Sequence, residues 1–270
     1  MDLEAIVAEV LAAKRHRHVS PDLVRRLAET ELIRPGSARL ARKELIKAVK
    51  TKLHQAVGAF GDEALDARRL IDRLRAAGSP DELTADCREA LRLHSSTRER
   101  LPEIERFYAV IWAETGLPGV VLDLGCGLAP LSLPWMGLPD ATLYLGYEAD
   151  TAAVEIANVY LALVGRPKLV EARDLVARPP TEPADVALVL KLLPTLDQQQ
   201  PGAGLALLDS LNARFAVVSY PARSLGGRDK GMARTYDGQV AAILAARPAW
   251  KAQRLDLTTE LVYVIDRGST

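Results

Sequence analysis

Apolar residues at the start of the chain recur three and four apart, with Leu3, Ile6, Val7, Val10 and Leu11 on one helical stripe. Ser20-Pro21-Asp22 reads as a second helix start, with Ser20 as N-cap and Pro21 at the first helical position, where its missing N–H costs nothing. A further helix is expected from about Ser37 to Val57, turning Ile46, Val49, Leu53 and Val57 inward. Beside that stripe stand Arg39, Lys43, Lys47 and Lys50, at spacings of four, four and three. Ser79-Pro80-Asp81-Glu82 repeats the start signal and adds a capping-box glutamate. No strand pattern interrupts the chain before about residue 115.

From Gly119 the texture changes. Short apolar runs at 120–124, 143–147, 168–171, 186–190 and 215–220 alternate with helical stretches such as Thr151 to about Val164. Continuous apolar strands between helices predict a parallel sheet covered on both faces. Arg254 to Leu257 and Leu261 to Asp266 are separated by only three residues, which predicts an antiparallel hairpin at the sheet edge. The expected fold class is α/β: a Rossmann-like domain over 106–270, preceded by an all-helical domain over 1–105.

Composition adds a class, and charge adds a direction. A hydrophobic share of 49% and a charged share of 26% describe a globular chain rather than a disordered one. Net charge is zero, yet Lys14 to Lys52 holds 12 Lys and Arg against 4 Asp and Glu. An excess of eight confined to one segment points to a polyanion docked there, against the bland alternative of a solvated helix face. Two cysteines, Cys87 and Cys126, build neither a disulfide framework nor a zinc site, and no metal is expected. Met1-Asp2-Leu3-Glu4 is acidic and amphipathic, unlike a signal peptide, and no apolar run approaches the roughly 20 residues of a membrane span. A cytoplasmic monomer without membrane contact is expected.

The first apolar strand ends in Gly125-Cys126-Gly127 and the second in Glu148-Ala149-Asp150. Strand, glycine turn, then an acid at the end of the next strand is the nucleotide-cofactor arrangement of doubly wound sheets. Glycines let a ligand approach the backbone, and the acid takes ribose hydroxyls. Pro130, however, stands where a dinucleotide fingerprint needs Gly or Ala, and Ala129 to Pro134 is a poor start for the helix that a diphosphate wants. S-adenosylmethionine has ribose and adenine, no phosphate, and a cationic sulfonium. It suits this turn and the acids Asp123, Glu148, Asp150 and Asp174. Position at the strand end favours Glu148 over Asp150 for the ribose. Asp174 either caps a helix or accepts the adenine amino group, and Cys126 is a small packed residue of the turn.

Five blocks then resemble one family. His94-Ser95-Ser96-Thr97-Arg98-Glu99-Arg100-Leu101-Pro102, Lys52 to Phe60, Asp123 to Gly127, Lys191-Leu192-Leu193-Pro194-Thr195-Leu196 with its glutamines, and Ser219-Tyr220-Pro221 with Ser224-Leu225-Gly226-Gly227 resemble the aminoglycoside-resistance 16S rRNA (guanine-N7) methyltransferases. The resemblance spans roughly residues 14 to 266. It implies a class I S-adenosylmethionine-dependent methyltransferase sheet, a helical domain docking on the 30S subunit, and methylation of 16S rRNA at N7 of guanosine 1405. The implied cofactor contacts are Phe60, His94, Ser95, Ser96, Arg100, Gly125, Glu148, Asp174, Leu175, Leu190 and Gln199, with Arg100 on the methionine carboxylate. Gln198 and Gln200 compete with Gln199. The implied RNA contacts are Arg39, Lys43, Lys47, Lys50, Lys191, Arg228 and Lys230. Guanine N7 carries no proton, so no catalytic proton-transfer residue is expected. A methyltransferase of another substrate, or a non-catalytic RNA-binding relative, would share much of this pattern.

Overall fold

The computed structural model describes residues 2–34, 41–57, 66–222 and 232–268. Arg39, Phe60, Arg228, Lys230, the Ser224-Leu225-Gly226-Gly227 block and the Val57 side chain lie outside the described residues.

Three helices come first: α1 (Leu3–Leu11), α2 (Pro21–Ile33) and α3 (Arg42–Val57). Asp2 caps α1, its carboxylate accepting from Glu4 N at 3.1 Å. Pro21 opens α2 as the sequence predicts, but Ser20 makes no side-chain cap bond. Its backbone N–H instead donates to Ala149 O at 2.7 Å, in the far part of the chain. Ile6, Val10, Val24, Leu27, Leu45, Val49 and Leu53 meet in a core of their own.

The next helices belong elsewhere. α4 (Ala67–Ala76), α5 (Pro80–Leu91), α6 (Ser95–Arg100) and α7 (Ile104–Thr115) lead into the sheet. Ser79 Oγ caps α5 by accepting from Glu82 N, while the Glu82 carboxylate accepts from Gly78 N, one residue before the capping-box position. Leu74, Leu91, Phe107 and Ile111 pack into one core with Val121, Ile156, Val186 and Val217 of the α/β part. The expected boundary near residue 105 therefore falls inside the larger core, and the separate helical core is confined to α1–α3.

Seven strands form one sheet among the described residues: β1 (Val120–Leu124), β2 (Leu143–Glu148), β3 (Val170–Ala172), β4 (Ala184–Leu190), β5 (Ala213–Pro221), β6 (Lys251–Leu255) and β7 (Glu260–Asp266). Their order is β3-β2-β1-β4-β5-β7-β6. The first five are parallel, and β7 runs antiparallel to both β5 and β6. The third strand and the first arm of the hairpin are thus shifted from their expected places at 168–171 and 254–257. In β1, β4 and β5 both faces are apolar, yet side chains still alternate. Val121, Val186, Leu188 and Val217 face the α4–α7 layer with α9 (Thr151–Leu163). Leu122, Ala187, Val189 and Val218 face the layer of α10 (Leu193–Gln199), α11 (Ala203–Ser210) and α12 (Met232–Ala246).

After the glycine turn comes only a 3-10 turn, Ala129–Ser132, and the single-turn α8 (Leu133–Met136). Strand order reverses between β1 and β4, and the crevice at the C-terminal ends of these strands is where open α/β sheets bind ligands.

Candidate active site

A cavity of about 500 Å³ opens at that point, within the size range of small-molecule sites. Its floor is the Gly125-Cys126-Gly127 turn. Gly125 and Cys126 N–H groups donate to Tyr147 O at 2.8 and 3.1 Å, folding the turn back onto β2. Gly125 has φ +64°, and a Cβ there would sit 2.9 Å from Leu192 Cδ1. Gly127 N–H donates to Glu148 Oε2 at 2.7 Å, and Glu148 Oε1 accepts from Ala149 and Asp150 N–H at 2.7 and 2.9 Å. Burial pushes the Glu148 carboxyl up, and these backbone donors pull against the rise. Asp150 has a different job. It caps α9, accepting from Ala152 N at 2.8 Å. Of the two rival acids, Glu148 ends its strand at the glycine turn, and Asp150 is taken up by the helix.

On one side the lining is apolar with a polar edge. Leu175, Leu190 and Leu196 line the cavity together with Asp174 and Gln199. Asp174 caps no helix; its Oδ1 accepts from Val176 N at 3.1 Å in a turn. Gln199 is half-buried and lines the cavity, whereas Gln198 and Gln200 are exposed. Helical phase explains the choice, because Gln199 follows buried Thr195 and Leu196 by four and three residues on α10. Apolar side chains beside Asp174, Gln199 and Glu148 offer what an adenosine needs, so the residues present fit S-adenosylmethionine.

Beneath the cavity lies a buried ionic cluster. Arg100 is 2% exposed and bonds Glu260 through Nε and a terminal nitrogen, at 3.0 and 3.2 Å. Ser219 Oγ donates to Glu260 as well, and Lys191 Nζ stands 3.5 Å from it while pairing with Glu99. Burial works against the Arg100 charge, but Glu260 more than offsets it and raises its pKa. The guanidinium expected to meet a methionine carboxylate is therefore engaged by Glu260 and is not among the lining groups. Lys191 does line the cavity, on a backbone with φ +58°, as do His94 and Ser96, whose Nδ1 and Oγ lie 2.8 Å apart. Ser95 is buried behind them. Burial, with Lys191, Arg100 and Arg98 nearby, pushes the His94 pKa down to about 4, so the ring is neutral at pH 7.

The other wall comes from the first 54 residues. Arg15, His16, His18 and His54 also line the cavity, contributed by the α1–α2 connection and by α3. Val19 pairs with Asp150 as an isolated antiparallel bridge, and Thr151 N–H donates to His18 O at 2.7 Å. These contacts bring the helical unit to the mouth of the site. Farther along α3, Lys43 and Lys47 are exposed and Lys50 half-buried, none with an ion pair to a described residue. Other cations of the same segment are spent internally, Arg25 on Glu4, Arg42 on Glu9 and Lys52 on Glu31. Sequence reasoning missed Arg26, whose partners lie 148 and 173 residues away, Glu260, which meets Arg100 across 160 residues, and the Arg15–His18 rim, whose run of basic and His residues was a visible signal.

Known proteins share this arrangement. Residues 12–264 match the family described as ribosomal RNA methyltransferase (FmrO). A 16S rRNA (guanine(1405)-N(7))-methyltransferase of Frankia casuarinae is 40% identical over 263 residues, covering 96% of this chain and 91% of that protein. One from Serratia marcescens is 35% identical, over 99% of this chain and all of its own length. The crystal structure of the 16S rRNA methyltransferase RmtF in complex with S-adenosyl-L-homocysteine superposes with a TM-score of 0.82 at 36% identity, covering 99% of this chain and 100% of that one.

Proposed function

The chain belongs to the ribosomal RNA methyltransferase (FmrO) family, and from that membership we infer that it transfers a methyl group from S-adenosylmethionine to N7 of guanosine 1405 in 16S rRNA. The observation that carries this reading is the cavity at the strand ends, where Glu148, Asp174, Leu175 and Leu190 of the sheet unit face Arg15, His18 and His54 of the helical unit. The chemistry comes with the cofactor, whose sulfonium makes its methyl group electrophilic. Glu148 takes the ribose hydroxyls, Asp174 accepts from the adenine amino group, and Leu175 and Leu190 flank the purine. Neutral His94 adds no positive charge beside a sulfonium. Guanine N7 offers a lone pair and holds no proton, so the residues have no proton to move. Their work is to hold N7 in line with the methyl group. A base in structured RNA reaches such a pocket by leaving its stack. The α1–α3 unit, with Lys43, Lys47 and Lys50, docks on 30S phosphates, which places the enzyme's action in the cytoplasm. No helix among the described residues is long and apolar enough to cross a membrane.

Incorporation of labelled methyl groups into purified 30S subunits tests this assignment. The double variant Lys43→Glu/Lys47→Glu should lower incorporation ~10-fold or more at physiological salt, and the wild-type rate should fall steeply as salt rises. Cofactor affinity measured by calorimetry should be unchanged in the variant. Incorporation indifferent to both salt and charge reversal would place the substrate outside RNA.

A further inference from the structure

Arg26 lies on α2 of the helical unit, but its guanidinium ends on two residues of the sheet unit that border the cavity. Nε donates to Asp174 Oδ2 at 2.5 Å, and a terminal nitrogen donates to Gln199 Oε1 at 2.5 Å. The pair with Asp174 is sheltered, the two side chains being 14% and 2% exposed. Arg26 itself is not among the cavity-lining residues.

The remaining hydrogen bonds decide what this bridge does. Asp174 Oδ1 accepts from Val176 N, and the Gln199 amide nitrogen donates to Thr195 O at 3.3 Å. An amide held by an arginine on its oxygen and a carbonyl on its nitrogen has one orientation rather than two. A carboxylate with two oxygens offers about four lone-pair sites, so Arg26 and Val176 leave room for a further donor. We propose that Arg26 is a positioning residue that sets Asp174 and Gln199 as a fixed pair and thereby selects a 6-amino purine over a 6-oxo purine in the cofactor. This rests on the reading that these two residues border the adenine. An amino group donates to the carboxylate; a carbonyl at the same place would oppose oxygen to oxygen, and sites built around a hydrogen bond reject the wrong partner strongly. The planar guanidinium can hold two acceptors at fixed angles, which a lysine ammonium at the end of a flexible stem does not reproduce.

Calorimetry with S-adenosylhomocysteine and its 6-oxo counterpart S-inosylhomocysteine tests the proposal on the full chain. The wild type should prefer the adenosyl ligand by ~50-fold or more. Arg26→Met should cut that preference ~10-fold, with the loss falling on the adenosyl ligand. Arg26→Lys, which keeps the charge but not the fork, should fall between the two and keeps the test valid if Arg26→Met folds poorly. In methylation of 30S subunits the KM for cofactor should rise in both variants while kcat at saturation holds. Equal weakening of both ligands, or an unchanged preference, would make Arg26 a structural tie only and overturn the proposal. A wild type that binds both ligands equally would instead remove Asp174 and Gln199 from the adenine, and the proposal with them.

Discussion

Bacteria that express this protein should grow at high concentrations of kanamycin and gentamicin and stay sensitive to apramycin and neomycin. N7 lies on the major-groove edge of guanine and is normally a hydrogen-bond acceptor. Methylation replaces that acceptor with a positive charge and a steric obstacle. Kanamycin- and gentamicin-type drugs are polycations that bond near this base, so they meet a like charge as well as a lost partner. A dissociation constant raised ~100-fold corresponds to about 2.8 kcal/mol, a modest demand on two such effects together. Drugs resting on other contacts in the decoding site keep their binding. Minimum inhibitory concentrations against an isogenic strain with an empty vector provide the check. Resistance to apramycin with sensitivity to gentamicin would point to a neighbouring adenine as the target.

The second large effect is expected at Gly125. Gly125→Val should lower S-adenosylmethionine affinity at least ~100-fold, since the left-handed backbone there is a steric outlier for a β-branched residue. The observed φ is +64°, and the new Cβ would press on Leu192 at 2.9 Å. The Leu192 methyl can swing aside, but the left-handed backbone is relieved only by movement of the turn, and the turn is what aims the Gly127 N–H at Glu148. Calorimetry reads the loss, and circular dichroism should show the helices intact. Gly165→Ala is the control. Its φ is +71°, and a Cβ there would meet nothing within 4 Å, so it should cost some stability and leave cofactor affinity alone. Equal affinity in Gly125→Val and wild type would remove the turn from the cofactor site.

What the sequence made legible, and what it hid, follows from range. β1 and β2 are continuous apolar runs ended by a glycine turn and an acid, so both strands and the Glu148 placement could be read locally. β6 could not. As the edge strand it is largely exposed through Lys251, Gln253 and Arg254, and a polar edge leaves no hydrophobic pattern. The role of Asp150 was available in principle, since an acid directly before a helix is an N-cap signal that outweighs its place two residues after Glu148. The division of the helical part was not available. α4, α5 and α7 carry stripes like those of α1–α3, and only the three-dimensional packing shows that they join the sheet's core. Arg100 illustrates the same limit from the site's side. Its family block is recognisable, while Glu260, 160 residues later, is what holds its guanidinium.

The central claim, methyl transfer to N7 of guanosine 1405, has one direct test. 30S subunits from a sensitive strain are incubated with the protein and S-adenosylmethionine, and the 16S rRNA is digested and mapped by mass spectrometry. One added methyl group on the fragment containing guanosine 1405, with the strand scission under reduction and aniline treatment that marks N7-methylguanosine, is the result expected. A methyl group on another nucleotide, or an unmodified fragment after cofactor turnover, would contradict it.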